Sequence, residues 1–195
     1  MVLREKPELK ERLIDAAEIC FAEKGVAHTS MLDVASQAGV SRTSLYKHYP
    51  RIDDVLQAAF IREFDRFELK IGKVLARCAQ PEARLLETVI GFAENVPQSS
   101  WIGLLVSGPR NKTEEKALRV GRQALDARVR AMLEQPLQDL VKTGRLRDDV
   151  EPGLVIEWLR VQVTAFSVLR HPGAHSKRVR RQLISVFLLQ SILKM

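Results

Sequence analysis

Apolar residues recur at spacings of three and four along nearly the whole chain, and this helical period limits the possible folds more than any other feature of the sequence. The pattern begins with Leu9, Leu13 and Ala16, which are separated by charged residues. Glycines, prolines and capping residues divide it into about nine segments. Alternating β-branched runs joined by hairpin turns do not occur. The sequence therefore predicts an all-α fold of about nine helices.

Capping and stop signals give the approximate bounds of these helices. Ser30 and Asp33 form a capping-box pattern before the second helix, and Gly39 supplies the positive φ that ends it. Ser41 caps a short third helix. The further predicted helices cover residues 53–79, 81–97, 100–106, 113–142, 152–170 and 176–194.

The composition is that of an ordinary globular protein. Hydrophobic residues make up 46% of the chain and charged residues 28%, which excludes a disordered or collagen-like protein. The two cysteines, Cys20 and Cys78, are too few for a disulfide framework. We find no secretory segment at the start and no uninterrupted apolar span. We therefore expect a soluble, cytoplasmic protein that does not associate with membranes.

Residues 30 to 49 carry the most specific pattern in the chain. Two short predicted helices are joined through Gly39, and Val34, Ala35 and Leu45 fall at positions that face inward. The small side chain of Ala35 allows the second helix to pack closely against the first. This pattern is typical of a helix-turn-helix, whose second helix presents its first residues to base edges in the major groove of DNA.

Polar and basic side chains occupy the predicted DNA-facing positions of this motif. Residues at the start of its first helix hold a phosphate, those at the start of its second helix face bases, and those that follow donate to either. The candidates from these positions are Thr29, Ser30, Arg42, Thr43, Ser44, Tyr46, Lys47 and His48.

This region resembles the N-terminal domain of TetR-type transcriptional regulators. The resemblance covers roughly residues 8 to 60 and depends on segments 25–35, 38–41 and 44–50, which stand at the family's spacing. It implies a homodimer that binds double-stranded operator DNA with two helix-turn-helices. It also implies a repressor that is released when a small molecule fills a pocket in the C-terminal domain. We accordingly predict a DNA-binding domain over residues 1–52 and an effector-binding and dimerisation domain over residues 53–195.

The resemblance also implies roles for single positions. In the family, positions near bases match Thr43, Tyr46 and Lys47, and positions near phosphates match Ser44 and His48. The family commonly opens its fourth helix with a Ser-Lys pair, whereas this chain has Arg51 and Ile52 there. We expect Arg51 to take over the phosphate contact and Asp53 to take over the capping.

The positive charge lies mainly outside the predicted DNA-binding domain. The formal net charge is +7, yet residues 1–51 contain eight Lys and Arg against seven Asp and Glu. Residues 110–147 contain ten against five, and residues 170–195 contain six against none. DNA binding is therefore predicted from the motif and not from the overall charge, while the surplus favours long-range attraction of the C-terminal domain to DNA.

The last two predicted helices have the composition of a dimer interface. Apolar residues cover most of the circumference of the last helix: Val179, Leu183, Ile184, Val186, Phe187, Leu188, Leu189, Ile192 and Leu193. A helix that is apolar nearly all round must be buried, and an intersubunit bundle buries it. We expect a homodimer through these two helices, with an ordinary central core helix as the alternative.

The effector pocket is expected among apolar and aromatic residues of the helical bundle. The candidate ligand-binding residues are Phe92, Trp101 and Met132, because their helices are short or interrupted by proline. Each is also compatible with an ordinary core position. The scarcity of charge in residues 99–108 favours an uncharged or amphipathic apolar effector, such as an acyl chain or an aromatic compound.

No motif nominates a catalytic residue, a cofactor or a metal. Gly-rich nucleotide-binding patterns, a nucleophile elbow and a His-Glu-x-x-His pair do not occur, so we do not expect an enzyme. His171 and His175 are separated by a Pro-Gly pair and cannot share a helix face. The alternative from another class is a peripheral membrane or partner-binding helical protein. It would use the basic residues 177–181 ahead of the last apolar helix.

Overall fold

The computed structural model describes residues 8–95, 112–168 and 176–194. Its helices are α1 (Leu9–Lys24), α2 (Met31–Ala38), α3 (Arg42–His48), α4 (Ile52–Leu75), α5 (Pro81–Asn95), α6 (Lys112–Lys142), α7 (Pro152–Val168), α8 (Lys177–Leu183) and α9 (Leu189–Ile192). A π-helical segment, Ile184–Leu188, joins α8 to α9. Within these ranges, extended backbone pairs only at an isolated antiparallel bridge between Leu146 and Leu193. The predicted all-α fold is confirmed, and the predicted helix over residues 100–106 lies outside the described residues.

The described residues form two compact units. The first contains α1 to α3, α4 up to Phe64 and α6 up to Ala124. The second contains α4 from Asp65 onward, α5, α6 from Leu125 onward and the helices that follow. Both α4 and α6 thus contribute to both units. The domain boundary after residue 52 stays a prediction.

The core of the first unit forms where the apolar faces of its helices meet. Its most deeply buried side chains include Leu13, Phe21, Val34, Leu45, Val55 and Phe60. Cys20 and Tyr49 are also buried, as expected for core positions. Burying one such Leu or Phe side chain stabilises the fold by about 1.5–3 kcal/mol, so this small core is sufficient to hold the short helices α2 and α3.

Helix α5 lies in the centre of the second unit, where it packs against α7 and the π-helical segment. Leu85, Val89 and Phe92 of this helix are buried. Gly91 faces Ile71 of α4 so closely that a Cβ atom at Gly91 would overlap the Cδ1 atom of Ile71. An alanine at this position therefore requires the Ile71 side chain to move.

The predicted last helix, residues 176–194, is divided in the structure into α8, the π-helical segment and α9, and it buries only one of its faces within the chain. Ile184, Leu188 and Ile192 are buried at intervals of four residues, whereas Val186 and Phe187 are exposed. The expectation of burial nearly all round is thus met on one face alone in the single chain. The homodimer through the last two predicted helices stays a prediction.

Candidate nucleic-acid interface

The turn between α2 and α3 has the backbone geometry that the sequence predicts. The Asp33 N–H donates to Ser30 Oγ at 3.2 Å, and the Ser30 N–H donates to the Asp33 carboxylate at 2.9 Å. Gly39 ends α2 in the left-handed conformation with φ 66°, and the Val40 N–H donates to the Ala35 carbonyl at 3.0 Å. The predicted capping box and the predicted positive φ are confirmed, so α2 has a fixed start and a fixed end.

Helix α3 presents one polar face to solvent. Its cap is Ser41, whose Oγ accepts from the Ser44 N–H at 3.1 Å, as predicted. Leu45 anchors the opposite side in the core. The exposed predicted contacts, here called the recognition face, are Arg42, Thr43, Tyr46 and Lys47. Ser44 and His48 are half-buried at its edges. The recognition face is therefore free to enter a groove without unfolding any part of the unit.

Arg42 and Tyr46 interact with each other on the recognition face. The Arg42 Cζ atom lies 5.9 Å from the centroid of the Tyr46 ring, within the range of a cation–π contact. This contact restricts the rotamers of a long side chain and leaves the planar N–H donors of the guanidinium available. A guanidinium held in this way loses less conformational entropy when it binds a base.

Helix α1 supports both ends of α2. The Arg12 Nη2 atom donates to the carbonyl of Ala38 at 3.1 Å, which satisfies an acceptor in the last turn of α2. At the other end, Lys24 forms an ion pair with Asp33. The Lys24 ammonium, together with hydrogen bonds from Ser30, holds the pKa of the Asp33 carboxyl well below its usual range. These contacts fix the position of α2 relative to α1.

The hydroxyls of Thr29 and Ser30 already have acceptors within the protein. Thr29 is buried, and its Oγ1 donates to the carbonyls of Gly25 at 2.9 Å and Cys20 at 3.2 Å. The Ser30 hydroxyl donates to the Asp33 carboxylate at 2.6 Å. Their phosphate contacts stay a prediction, and a contact from either hydroxyl requires it to exchange its present acceptor.

The start of α4 is capped differently from the expectation. The backbone N–H of Arg51 donates to the Asp54 carboxylate at 3.0 Å, so Asp54 caps this helix and the expectation for Asp53 is wrong. The physical reason is reach, because the third residue after the cap folds back onto its N–H group. The Arg51 guanidinium lies 3.4 Å from the same carboxylate and is largely exposed. Its phosphate contact stays a prediction.

Arg62 of α4 is bound by three carboxylates of α1, a cluster that sequence reasoning missed. Its Nη1 atom lies 3.0 Å from Glu11 Oε2 and 2.7 Å from Asp15 Oδ1. The Glu18 carboxylate lies side-on to the guanidinium: Nε donates to Oε1 at 3.2 Å, and Nη2 lies 2.8 Å from Oε2. The three acidic residues stand four and three apart on α1, which places them on one helix face. That spacing is the signal that predicts a shared cation.

The structure places two of the three candidate effector residues, Phe92 and Met132, in the second unit. Phe92 is buried, and its ring packs against Phe67 with the centroids 4.6 Å apart. Met132 of α6 is half-buried. Trp101 lies outside the described residues, as do His171 and His175. Ligand binding by Phe92, Trp101 and Met132 stays a prediction.

The described part of the chain also bears on the predictions about membranes and metals. Among the described helices, none combines the length and the apolar character needed to cross a membrane. In the same part of the chain, His, Cys, Asp and Glu side chains do not cluster in threes that could hold a metal ion.

The fold and the exposed face of α3 define a helix-turn-helix protein, and sequence comparison gives its family. Residues 13–59 match the family described as bacterial regulatory proteins, tetR family. HTH-type transcriptional regulator CymR of Pseudomonas putida is 32% identical over 157 residues, which cover 78% of this chain and 73% of CymR. The chain belongs to the TetR family of bacterial regulatory proteins.

TtgR shares less of its length with this chain, whereas a solved structure matches almost all of it. HTH-type transcriptional regulator TtgR of Pseudomonas putida is 41% identical over 61 residues, but these span only 29% of TtgR and 30% of this chain. Among solved structures, FadR from Bacillus subtilis in complex with stearoyl-CoA superposes with a TM-score of 0.70. The match covers 93% of this chain and 98% of FadR at 14% identity, which shows a shared fold.

Proposed function

We propose that the protein is a sequence-specific DNA-binding regulator that acts as a repressor in the cytoplasm. The recognition face of α3 carries this proposal, because it combines a guanidinium, an ammonium and two hydroxyl groups on one exposed side of a short, capped helix. Arg and Lys bind guanine and phosphates, and hydroxyls donate to bases or phosphates. This activity requires neither a catalytic residue nor a cofactor.

The second unit is proposed to bind a small apolar or amphipathic effector that releases the protein from its operator. Support comes from the aromatic pair of half-buried Phe67 and buried Phe92 in this unit. The shared fold with a regulator crystallised with stearoyl-CoA supports the same class of effector. Apolar and aromatic linings are typical of such sites in helical bundles.

The regulator is proposed to act as a homodimer through α7 and through the segment that runs from α8 to α9. Leu154, Trp158 and Val161 stand four and three apart on α7 and form an exposed stripe, here called the α7 stripe. Leu154 is 66% exposed and Val161 is 62% exposed. Phe187 of the π-helical segment is also 66% exposed. An apolar surface on both predicted interface helices favours a second copy of the chain as its partner.

The contacts of the basic residues 177–181 argue against the alternative of a peripheral membrane protein. That hypothesis needs a free basic face over residues 177–181. Arg181 instead forms an ion pair with Glu87, and Arg180 donates to the carbonyl of Ala93 at 2.9 Å. Lys177 and Arg178 alone are a weak attraction for an anionic bilayer, because each basic residue contributes only about 1 kcal/mol.

A mobility-shift assay tests the proposal for the recognition face. The variant Arg42→Ala/Lys47→Ala is expected to lose at least about tenfold in operator affinity, since one good base contact contributes about 1–3 kcal/mol. The control Lys142→Ala/Arg178→Ala removes the same number of charges from exposed positions of the second unit and should lose far less affinity than the first variant, because it removes only long-range attraction. Unchanged affinity of the first variant would refute the assignment.

Sedimentation tests the dimer separately. The account expects a dimer at micromolar concentration, and a monomer there would remove the homodimer from the proposal. Tryptophan fluorescence titrated with apolar ligands tests effector binding, because Trp101 and Trp158 are the only tryptophans in the chain.

A further inference from the structure

Arg180 of α8 is a half-buried arginine, and one of its nitrogen atoms lacks a hydrogen-bond acceptor among the described residues. Its Nη1 atom donates to the carbonyl of Ala93, in the last turn of α5, at 2.9 Å. Its Nε atom is buried, and among the described residues it donates to no acceptor. A buried N–H group of a cation that lacks an acceptor costs free energy, so the protein alone does not complete this site.

Other arginines among the described residues pair with carboxylates. Arg62 Nε donates to Glu18 at 3.2 Å, its Nη2 atom lies 2.8 Å from the same carboxylate, and Arg160 pairs with Asp126 at 2.7 Å. Arg181, which follows Arg180 directly, pairs with Glu87. Within the described part of the chain, no carboxylate forms an ion pair with Arg180. The carbonyl end of α5 compensates part of its charge but does not accept from Nε.

Buried apolar residues neighbour both ends of the Arg180–Ala93 contact along the chain. Ala93 and the preceding Phe92 are buried on α5, and Ile184, one turn after Arg180 on the same helix face, is buried as well. An arginine in such surroundings attracts an anion strongly, because water screens the charge less. Nε and Nη2 form the edge of a guanidinium that faces the Glu18 carboxylate at Arg62, and at Arg180 the Nε atom of this edge has no acceptor among the described residues.

We propose that Arg180 binds the carboxylate of the effector, and that the effector is an amphipathic acid with an apolar chain or ring. This inference rests on the proposed effector-released regulator and names the chemical class of its ligand. The carboxylate replaces the missing anion, and the apolar part is accommodated beside the buried side chains of α5. A neutral alcohol of the same length offers Nε a single uncharged acceptor and no compensating charge, and therefore binds more weakly.

Thermal unfolding of the full-length protein tests this proposal with matched ligands. Sodium acetate, hexanoate and decanoate are compared with ethanol, 1-hexanol and 1-decanol at equal ionic strength. The carboxylates are expected to raise the melting temperature more than the alcohols do, and the effect is expected to grow with chain length. Decyl phosphate serves as a further arm, because a phosphoryl group is the other anion that arginine binds.

Three variants locate the effect. Arg180→Gln keeps an amide donor for the Ala93 carbonyl but removes the charge, and it should bind decanoate about 10- to 100-fold more weakly. Arg180→Lys keeps the charge without the bidentate edge and should fall between this variant and the wild type. The control Arg181→Gln, which removes the neighbouring charge, should bind decanoate as the wild type does.

The outcomes separate this inference from the proposed function. It is overturned if no carboxylate stabilises the wild type more than the alcohol of equal length, or if Arg180→Gln retains full affinity for decanoate. Tighter binding of decyl phosphate than of decanoate would overturn the assignment to carboxylates. Operator binding by the ligand-free wild type and by Arg180→Gln is measured in parallel. If the ligand-free wild type does not bind DNA, the proposed regulator function is refuted, regardless of whether carboxylates stabilise the protein.

Discussion

Replacement of Arg62 should destabilise the first unit more than any other single loss of a surface charge. Arg62 is the cation between Glu11, Asp15 and Glu18, and its side chain is only 13% exposed. Arg62→Met keeps most of the apolar stem but removes the charge. The variant leaves three carboxylates close together on one face of α1, where they repel one another.

The expected magnitude follows from the exposure of each partner. Glu11 and Asp15 are 54% and 56% exposed, so their pairs with Arg62 contribute about 0–1 kcal/mol each. Glu18 is 20% exposed and is bound side-on, so its pair lies closer to the 3–5 kcal/mol typical of breaking a buried pair. Arg62→Met should therefore lower the free energy of unfolding by about 2–4 kcal/mol.

Urea unfolding followed by circular dichroism measures this change. Lys73→Ala, an exposed lysine of the same helix, is the control for loss of a charge and should change stability by less than about 0.5 kcal/mol. Adding Glu18→Gln to Arg62→Met should recover part of the loss, because it removes the carboxylate with the most buried environment. The reasoning is refuted if Arg62→Met costs less than about 0.5 kcal/mol or if Glu18→Gln makes it worse.

Three further predictions follow from single contacts. Gly91→Ala should destabilise the wild type by at least about 1 kcal/mol more than it destabilises an Ile71→Val variant, which lacks the overlapping Cδ1 atom. The control Gly72→Ala, at an open helical position, should be neutral or stabilising. Urea unfolding measures the stability of all these variants. The lowered pKa of Asp33 contributes stability above its ordinary pKa, and this contribution is lost as the pH falls. The stability of the wild type should therefore drop more steeply below about pH 4 than that of Asp33→Asn, and equal slopes in acid unfolding would contradict this. Leu154→Asp/Val161→Asp should yield a folded monomer in sedimentation, whereas Leu32→Asp, equally apolar and exposed in the first unit, should stay dimeric.

The parts of the interface that depend on neighbouring residues were predictable from the sequence. The Ser30–Asp33 capping box, the Ser41 cap and the positive φ of Gly39 each involve residues at most three positions apart or a single backbone angle. Local steric and hydrogen-bonding rules are sufficient for such features.

The supports of the interface were not predictable in the same way. Arg12 reaches Ala38 across 26 positions, and Arg62 reaches Glu11 across 51. Such contacts depend on how helices pack, and a periodic sequence pattern does not specify which charged residues meet. The cap of α4 is a local feature, and its prediction failed for another reason: the predicted helix began at residue 53, whereas α4 begins at Ile52, which makes Asp54 the third residue after the cap.

Selection from a random double-stranded DNA library tests the central claim most directly. The full-length protein should enrich a sequence with two related half-sites in inverted orientation, about one helical turn or a multiple of it apart. Arg42→Ala/Lys47→Ala should fail to enrich that sequence under the same salt conditions. Enrichment of no sequence by the wild type, or of the same sequence by the double variant, would contradict DNA recognition through α3.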